Sequence, residues 1–208
     1  MSRPLARTLA PYWTALRIML LLTIVLGIAY PLLITGVGQV VTPAQSNGSL
    51  IRNADGQVAG SSLLGQRFDA ADGEPLPQYF QPRPSIAGDG YDPTASGGSN
   101  QGPESLALAM QIAERREVVA AFNGVPAGDV PVDAITASGS GLDPHISVEY
   151  ARIQVERVAE ARGLTPDVVA AAVDRATAGR DAGMLGEPRV SVVELNLALD
   201  ELAPEAQE

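Results

Sequence analysis

Residues 138–145 hold the chain's one histidine and the types a nucleophilic hydrolase needs. Ser138-Gly139-Ser140-Gly141 is followed by Asp143, Pro144 and His145. A Ser–His–Asp hydrolase using Ser138 or Ser140, His145 and Asp143 is the sharpest chemistry these types permit. The spacing tells against it. A nucleophile elbow reads G-x-S-x-G between a strand and a helix, and Gly139-Ser140-Gly141 does not fit. The competing reading is a glycine turn running into a helix, with Asp143 as N-cap, Pro144 at the first helical position and His145 in the first turn. Backbone N–H groups at such a helix start can receive an anion or a carboxylate. A second glycine-rich stretch, Gly97-Gly98-Ser99 within Ser96–Gln101, has a faint likeness to the Ser-Gly-Gly-Gln signature of ATP-binding cassette proteins. That signature works only opposite a P-loop. Ser138, Gly139, Ser140, Gly141, Asp143, His145, Gly97, Gly98 and Ser99 are therefore candidates for contact with a partner or a nucleotide. Glu114-Arg115-Arg116-Glu117 reads as a solvated helix face.

Composition narrows the chemistry further. All fourteen basic residues are Arg, and there is no Cys. A P-loop, a Schiff base and a protein kinase each need a lysine. Disulfides, thiol nucleophiles and Cys-ligated zinc are excluded as well. A single His cannot build a multi-histidine metal site. The net charge of −10 argues against nucleic acid as a partner. It divides unevenly: Arg3, Arg7 and Arg17 precede the first acid, Asp55, so residues 1–17 carry +3. Residues 18–208 hold eleven Arg against twenty-four Asp and Glu, or −13.

The elements that must position these residues follow from patterning. Ser49–Arg52 and Gln57–Gly60 form two short strands around an Asn53–Gly56 turn. Alternate prolines in Tyr79–Ser85 forbid a helix, and Gly88–Gly102 reads as loop. A helix runs from Pro103 to Gly124, with Leu106, Met110, Ala113 and Glu117 on one line and Leu108, Ile112 and Val119 widening the apolar face. Pro131–Thr136 is short and β-branched. A helix from Asp143 carries Val148, Ala151, Val155, Val158 and Ala159 at helical spacing and stops at Gly163. Thr165-Pro166 opens another over Asp167–Ala178, stopped by Gly179. Arg189–Val193 reads as a strand, Glu194–Leu202 as a last helix and 203–208 as an acidic tail. The expected class is α+β, with helices packed on a small sheet.

Ahead of all this lies a membrane signal. Ile18–Val41 is 24 residues without a charge. As a helix it is about 36 Å long, enough for a hydrocarbon core of about 30 Å. Pro31 predicts a kink near Ile28–Pro31, with local adjustment satisfying the freed carbonyl. The run is too long for a signal-peptide core, and Val41-Thr42-Pro43-Ala44 lacks a small-x-small cleavage site. Three Arg before the run and none after it until Arg52 put the N-terminus inside. The expected layout is a cytoplasmic segment 1–14, a transmembrane helix 15–41 and an extracytoplasmic domain 42–208. Tyr12 and Trp13 suit the cytoplasmic interface. Asn47-Gly48-Ser49, formally a glycosylation acceptor, reads as a turn.

In order along the chain stand TGVGQVVTPAQSNGSLI, GSSLLGQRF, YFQPRPS, YDPTASGGSNQGP, VPVDAITASGSGLDPHIS and GEPRVSVVELNLALD. Together they closely resemble the C-subunit family, KdpC, of the bacterial Kdp potassium-transporting ATPase, over nearly the whole length. Ser191 departs from that family's usual Asn. The resemblance implies a non-catalytic subunit of an ATP-driven potassium importer in the bacterial inner membrane. A channel-like A subunit handles the potassium, a P-type B subunit hydrolyses ATP, and a small F subunit stabilises the assembly. It also implies a catalytic chaperone that raises the nucleotide affinity of the ATPase subunit, partly by touching ATP. The residues themselves fit that last role badly. An outward domain at −13 without lysine is a poor ATP site, so coupling to the A subunit, with lipid around the span, is the expected task.

Overall fold

A computed structural model of the chain describes residues 4–202, with side chains from Leu9 onward. Arg3, the side chain of Arg7 and the acidic tail 203–208 lie outside the described residues. The chain divides into two compact units, one ending at Ser49 and the other beginning at Leu50.

The first unit is helical. Helix α1 covers Pro4–Leu22, a π-helical stretch Thr23–Ala29, and helix α2 Tyr30–Val41. Within it Leu9–Val41 is long and apolar enough to cross a membrane, at mean hydropathy 2.4. The π stretch is the adjustment that Pro31 requires. Proline has no N–H to give, and the ladder widens just ahead of it, Tyr30 donating to the carbonyl of Val25. Trp13 lies beneath the Arg17 guanidinium, 4.9 Å from the ring centroid. A short helix α3, Pro43–Ser46, turns back on α2. The Asn47 and Gln39 amides bond reciprocally at 3.1 and 3.4 Å, so Asn47–Ser49 is a turn. Gly38 makes room for it, since a Cβ there would stand 2.8 Å from Ser46 Oγ.

The second unit is α+β. Strands β1 (Leu50–Arg52) and β2 (Val58–Ser61) form an antiparallel hairpin. Helices α4 (Leu106–Asn123) and α5 (Val132–Ile135) follow, then β3 (His145–Ile146), α6 (Val148–Arg162), α7 (Pro166–Ala176), β4 (Thr177–Ala178), β5 (Arg189–Ser191) and α8 (Val192–Leu202). The three-stranded sheet is antiparallel in the order β3-β5-β4, with Val190 at its buried centre. The core joins Ile146, Val155, Val158, Val173, Val190 and Leu195.

Several expectations are corrected. The helix expected from Asp143 begins at Val148. Ser147 is its N-cap, accepting from Tyr150 N–H at 2.9 Å, and Asp133 holds Ser147 in place from below. His145 and Ile146 cannot be helical because they pair with Ser191 and Val190 in the sheet. Gly163 closes α6 as expected, with φ +63°. Helix α7 ends at Ala176 rather than Ala178, because Thr177 and Ala178 are taken up as the third strand, and β5 yields to α8 at Val192. Helix α4 begins at Leu106 with Ser105 as its N-cap, so Pro103 lies ahead of the helix rather than in its first turn. The line of α4 through Leu106 and Met110 does not face the core, the two being 82% and 72% exposed, whereas Leu108, Ile112 and Val119 are half-buried, Ile112 and Val119 against the core, and Ala120 and Asn123 are buried.

Candidate functional site

The structure brings the two glycine-rich stretches together. Gly97 N–H donates to the carbonyl of Ser140 at 2.8 Å, and Ser96 Oγ donates to the same oxygen at 2.9 Å. A Cβ on Gly98 would stand 2.7 Å from the Gly139 carbonyl oxygen, so only glycine permits this approach. Ser99 is exposed at the edge of the contact.

Ser138 is almost fully buried. Its hydroxyl accepts the N–H groups of Gly141 at 3.0 Å and Asp143 at 3.4 Å, and shares a bond with Ser140 Oγ at 3.2 Å. Ser140 Oγ in turn accepts from Leu142 N–H. Both hydroxyls thus shape the turn. His145 directs Nδ1 to Asp143 Oδ1 at 3.4 Å, and its own N–H donates to that oxygen at 3.0 Å. Among the described residues no hydrogen bond joins His145 to either serine. The carboxylate–imidazole half of a triad is present, and the imidazole–hydroxyl half is not.

Three residues that the motif reading missed complete the site. Arg83 Nη1 donates to Asp143 Oδ2 at 3.1 Å. Ser85 Oγ donates to the Gly141 carbonyl at 2.6 Å and accepts from Tyr91 N–H at 2.9 Å. Tyr91 OH donates to the carbonyl of Arg83 at 2.9 Å. A signal for the first two was present. The alternate prolines of residues 82 and 84 force an extended chain, and an extended chain puts Arg83 and Ser85 on one side. Gly65 seals the back: a Cβ there would collide with the Tyr91 ring and approach the Asp143 carbonyl to 2.7 Å.

Burial works to raise the pKa of Asp143. The hydrogen bonds from His145 and the positive charges of Arg83 and His145 outweigh it, so the carboxyl sits below its ordinary value. Burial pushes the Tyr91 phenol well up, and Asp143 adds to this. An open groove of about 550 Å³ runs past Arg83, Asp133, Asp143, His145 and Arg189. Among the described residues no group of three His, Cys, Asp or Glu stands close enough to hold a metal.

Residues 77–79, just before the site, form a turn, and 80–81 run on without joining a sheet. Side chains replace the missing strand. Asn196 accepts from Phe80 N–H at 2.8 Å and donates to its carbonyl at 3.0 Å. Gln154 does the same for Gln81, at 2.7 and 3.2 Å. Arg157 donates to the carbonyls of Pro77 and Tyr79, and Arg162 to that of Gln78. The site thus hangs from α6 and α8 through a strap held at both ends.

One apolar helix long enough to span a bilayer, followed by an acidic α+β unit with cross-tied loops, is the build of a single-span membrane protein. The family model described as "KdpC: K+-transporting ATPase, c chain" matches residues 12–201, and the chain belongs to that family. Among similar proteins is one from Kineococcus radiotolerans, 54% identical over 204 residues, covering 98% of this chain and 100% of the relative. One from Gemmatimonas aurantiaca is 54% identical over 183 residues, 88% of each chain. One from Mycobacterium tuberculosis is 50% identical over 189 residues, 90% of this chain and 96% of the relative. Each is named a potassium-transporting ATPase KdpC subunit. The resemblance drawn from the sequence motifs is borne out.

Proposed function

We propose that this chain is a non-catalytic, single-span subunit of a potassium-transporting ATPase complex, needed for assembly and coupling. Its N-terminus lies in the cytoplasm. Residues 42–208 lie outside and rest on the extracytoplasmic face of the channel-like A subunit. The B subunit carries ATP hydrolysis, and the F subunit and lipid complete the surroundings of the span. The carrying observation is the Leu9–Val41 helix, preceded by Arg3 and Arg7 and followed by an acidic unit. The cross-tied loops of Arg83–Ser99 and Ser138–His145 are the face offered to the A subunit. Rigid loops lose little entropy on docking.

Any rise in the ATPase subunit's nucleotide affinity is transmitted through the complex on this reading. Residues 69–208 hold nine Arg against twenty-three Asp and Glu, a net −14 that repels phosphates, and the hydroxyls of Ser138 and Ser140 are engaged by the backbone. A topology reporter fused after Glu208 is expected to signal from outside the cytoplasm, and a cytoplasmic signal overturns the proposal. Binding of labelled ATP by the full chain, lost on Gly98→Ala or Ser138→Ala, would favour direct nucleotide contact instead. His145→Ala is expected to weaken transport without abolishing it, since the residue lies in the docking face and carries no chemistry. Loss of all function with the complex assembled would favour the hydrolase built on Ser140, His145 and Asp143.

A further inference from the structure

The apolar helix carries a backbone group that its own ladder leaves unmet. In the π-helical stretch Thr23–Ala29 each N–H reaches five residues back, and Tyr30 still donates to the Val25 carbonyl. The next rung would run from residue 31 to the carbonyl of Leu26. Pro31 has no N–H, so the Leu26 carbonyl receives nothing from that position. The stretch lies within Leu9–Val41, and none of its residues is buried by the rest of the chain. Hydrocarbon offers no donor either, and an unmet backbone carbonyl there is costly.

The surroundings of this carbonyl leave it open to a neighbour. Gly27 follows it directly, and a Cβ built there would meet no side chain nearer than Thr23 Cγ2, at 3.8 Å. Thr23, Gly27, Pro31 and Thr35 recur at every fourth position and so lie along one side. Thr14 turns its hydroxyl back onto the Ala10 carbonyl at 3.1 Å. Among the described residues neither Thr23 nor Thr35 makes such a bond, so this side holds two further polar groups. A second copy of the chain is poorly placed to serve it. A parallel copy sets like residues level, and its hydroxyls on this side stand three residues before Leu26 and nine after, about 4.5 and 13.5 Å along the axis. The Leu26 carbonyl points toward the C-terminus and the Thr23 side chain toward the N-terminus, which widens the shorter gap. The family is one chain of a potassium-transporting ATPase. A single helix encloses no path for an ion, so the other subunits bring further spans.

We infer that a transmembrane helix of another subunit packs on the side of the span marked by Gly27 and Pro31, and that a side chain of that helix, a hydroxyl, amide or indole, donates a hydrogen bond to the Leu26 carbonyl. This deepens the proposed role as a single-span subunit and rests on the reading that Leu9–Val41 crosses the bilayer. The acceptor freed by Pro31 is then satisfied only in the complex, and the π stretch is a tie between subunits inside the membrane.

The test extracts the complex from membranes by a tag on the full chain and measures how much of the other ATPase subunits stays bound as detergent is raised. Gly27→Leu blocks the approach to the carbonyl. Pro31→Ala restores an N–H, so the helix satisfies its own acceptor. Gly36→Leu makes the same change as the first about 140° around the helix from Pro31, where a Cβ meets nothing within 4 Å. The expected result is a severalfold loss of bound subunits in Gly27→Leu, a smaller loss in Pro31→Ala and parental retention in Gly36→Leu. Any other pattern overturns the inference: parental retention in Gly27→Leu or Pro31→Ala removes the packing or the hydrogen bond, and an equal loss in Gly36→Leu removes the side. The chain has no cysteine, so single thiols report cleanly. Thr23→Cys is expected to stay monomeric on oxidation, and a disulfide-linked pair of this chain would put a second copy on the face instead. Leu33→Cys, on the far side from Pro31, carries a fluorophore in vesicles of phosphatidylcholine with brominated acyl chains. Quenching there with parental retention in Gly27→Leu leaves the span standing and only this inference fallen. An unquenched Leu33 probe overturns the spanning reading and this inference together.

Discussion

Asp143 is the residue on which the site turns. It receives Arg83, the His145 ring and the His145 N–H, and its folded pKa is depressed. A depressed carboxyl contributes stability that is fully present above its unfolded value, about 3.9, and lost as pH falls through the folded value. Chemical unfolding of the full chain in detergent should therefore show a smaller acid loss in Asp143→Asn than in the parent. Equal losses below about pH 4 would remove the ion pair from the stability account. Arg157 has the opposite character. Burial lowers its pKa to about 10, since its hydrogen-bond partners, Asn123, Gln154 and the carbonyls of Pro77 and Tyr79, are all neutral. The charge costs desolvation, and its bonds to the strap offset that cost. Arg157→Leu should lose about 2–4 kcal/mol, the charge-assisted bonds outweighing the relieved desolvation. An unchanged unfolding midpoint would contradict this account.

At the scale of elements, the strap and α4 reverse the usual expectation. The strap lacks a β partner yet is held firmly, because Asn196 and Gln154 present amide groups with the donor–acceptor pattern of a neighbouring strand. Gln154→Ala leaves the Gln81 backbone unpaired and should cost about 1–3 kcal/mol. Helix α4 reads as amphipathic but exposes its apolar end. Leu106→Gln with Met110→Gln should move the stability of the full chain by less than about 0.5 kcal/mol. Val158→Ala on the buried face of α6 should cost about 1–3 kcal/mol. Thermal melts of the two variants side by side check this contrast, and a large loss in the Leu106/Met110 variant would contradict it. Gly65 belongs at this scale too. Gly65→Ala drives a methyl into Tyr91 and separates two loops at once, with an expected loss of about 1–3 kcal/mol.

For the whole molecule the governing quantity is the uneven charge. The +3 of residues 1–17 faces the −13 of residues 18–208 across an uncharged apolar run. Positive residues stay on the cytoplasmic side, while acids contribute little to orientation. Replacing Arg3, Arg7 and Arg17 with Gln should therefore produce a mixed population in a topology assay. A uniform orientation would show that the apolar helix or the second unit sets the topology instead. The acidic second unit also draws cations, though screening within about 8 Å at physiological salt keeps the effect local.

Local chemistry was enough to read much of this chain. An unbroken run of uncharged residues, Pro31, the stop at Gly163 and the β1–β2 turn act through a few neighbours, so their sequence is their structure. The stretches Ser138–Gly141 and Gly97–Ser99 were marked by composition alone. Their meeting depends on residues more than forty positions apart, which no local pattern encodes. The helix start moved from Asp143 to Ser147 for the same reason: a distant strand, Arg189–Ser191, claims His145 and Ile146. Gln154 and Asn196 look ordinary in sequence because their partners are backbone groups of a remote stretch, and the alternate prolines set Arg83 and Ser85 on one side without showing that they meet Asp143 and Gly141. Side-chain type and spacing determined the span, its expected orientation and the family. Only the tertiary fold, by deciding which buried polar groups had to find each other, determined the site.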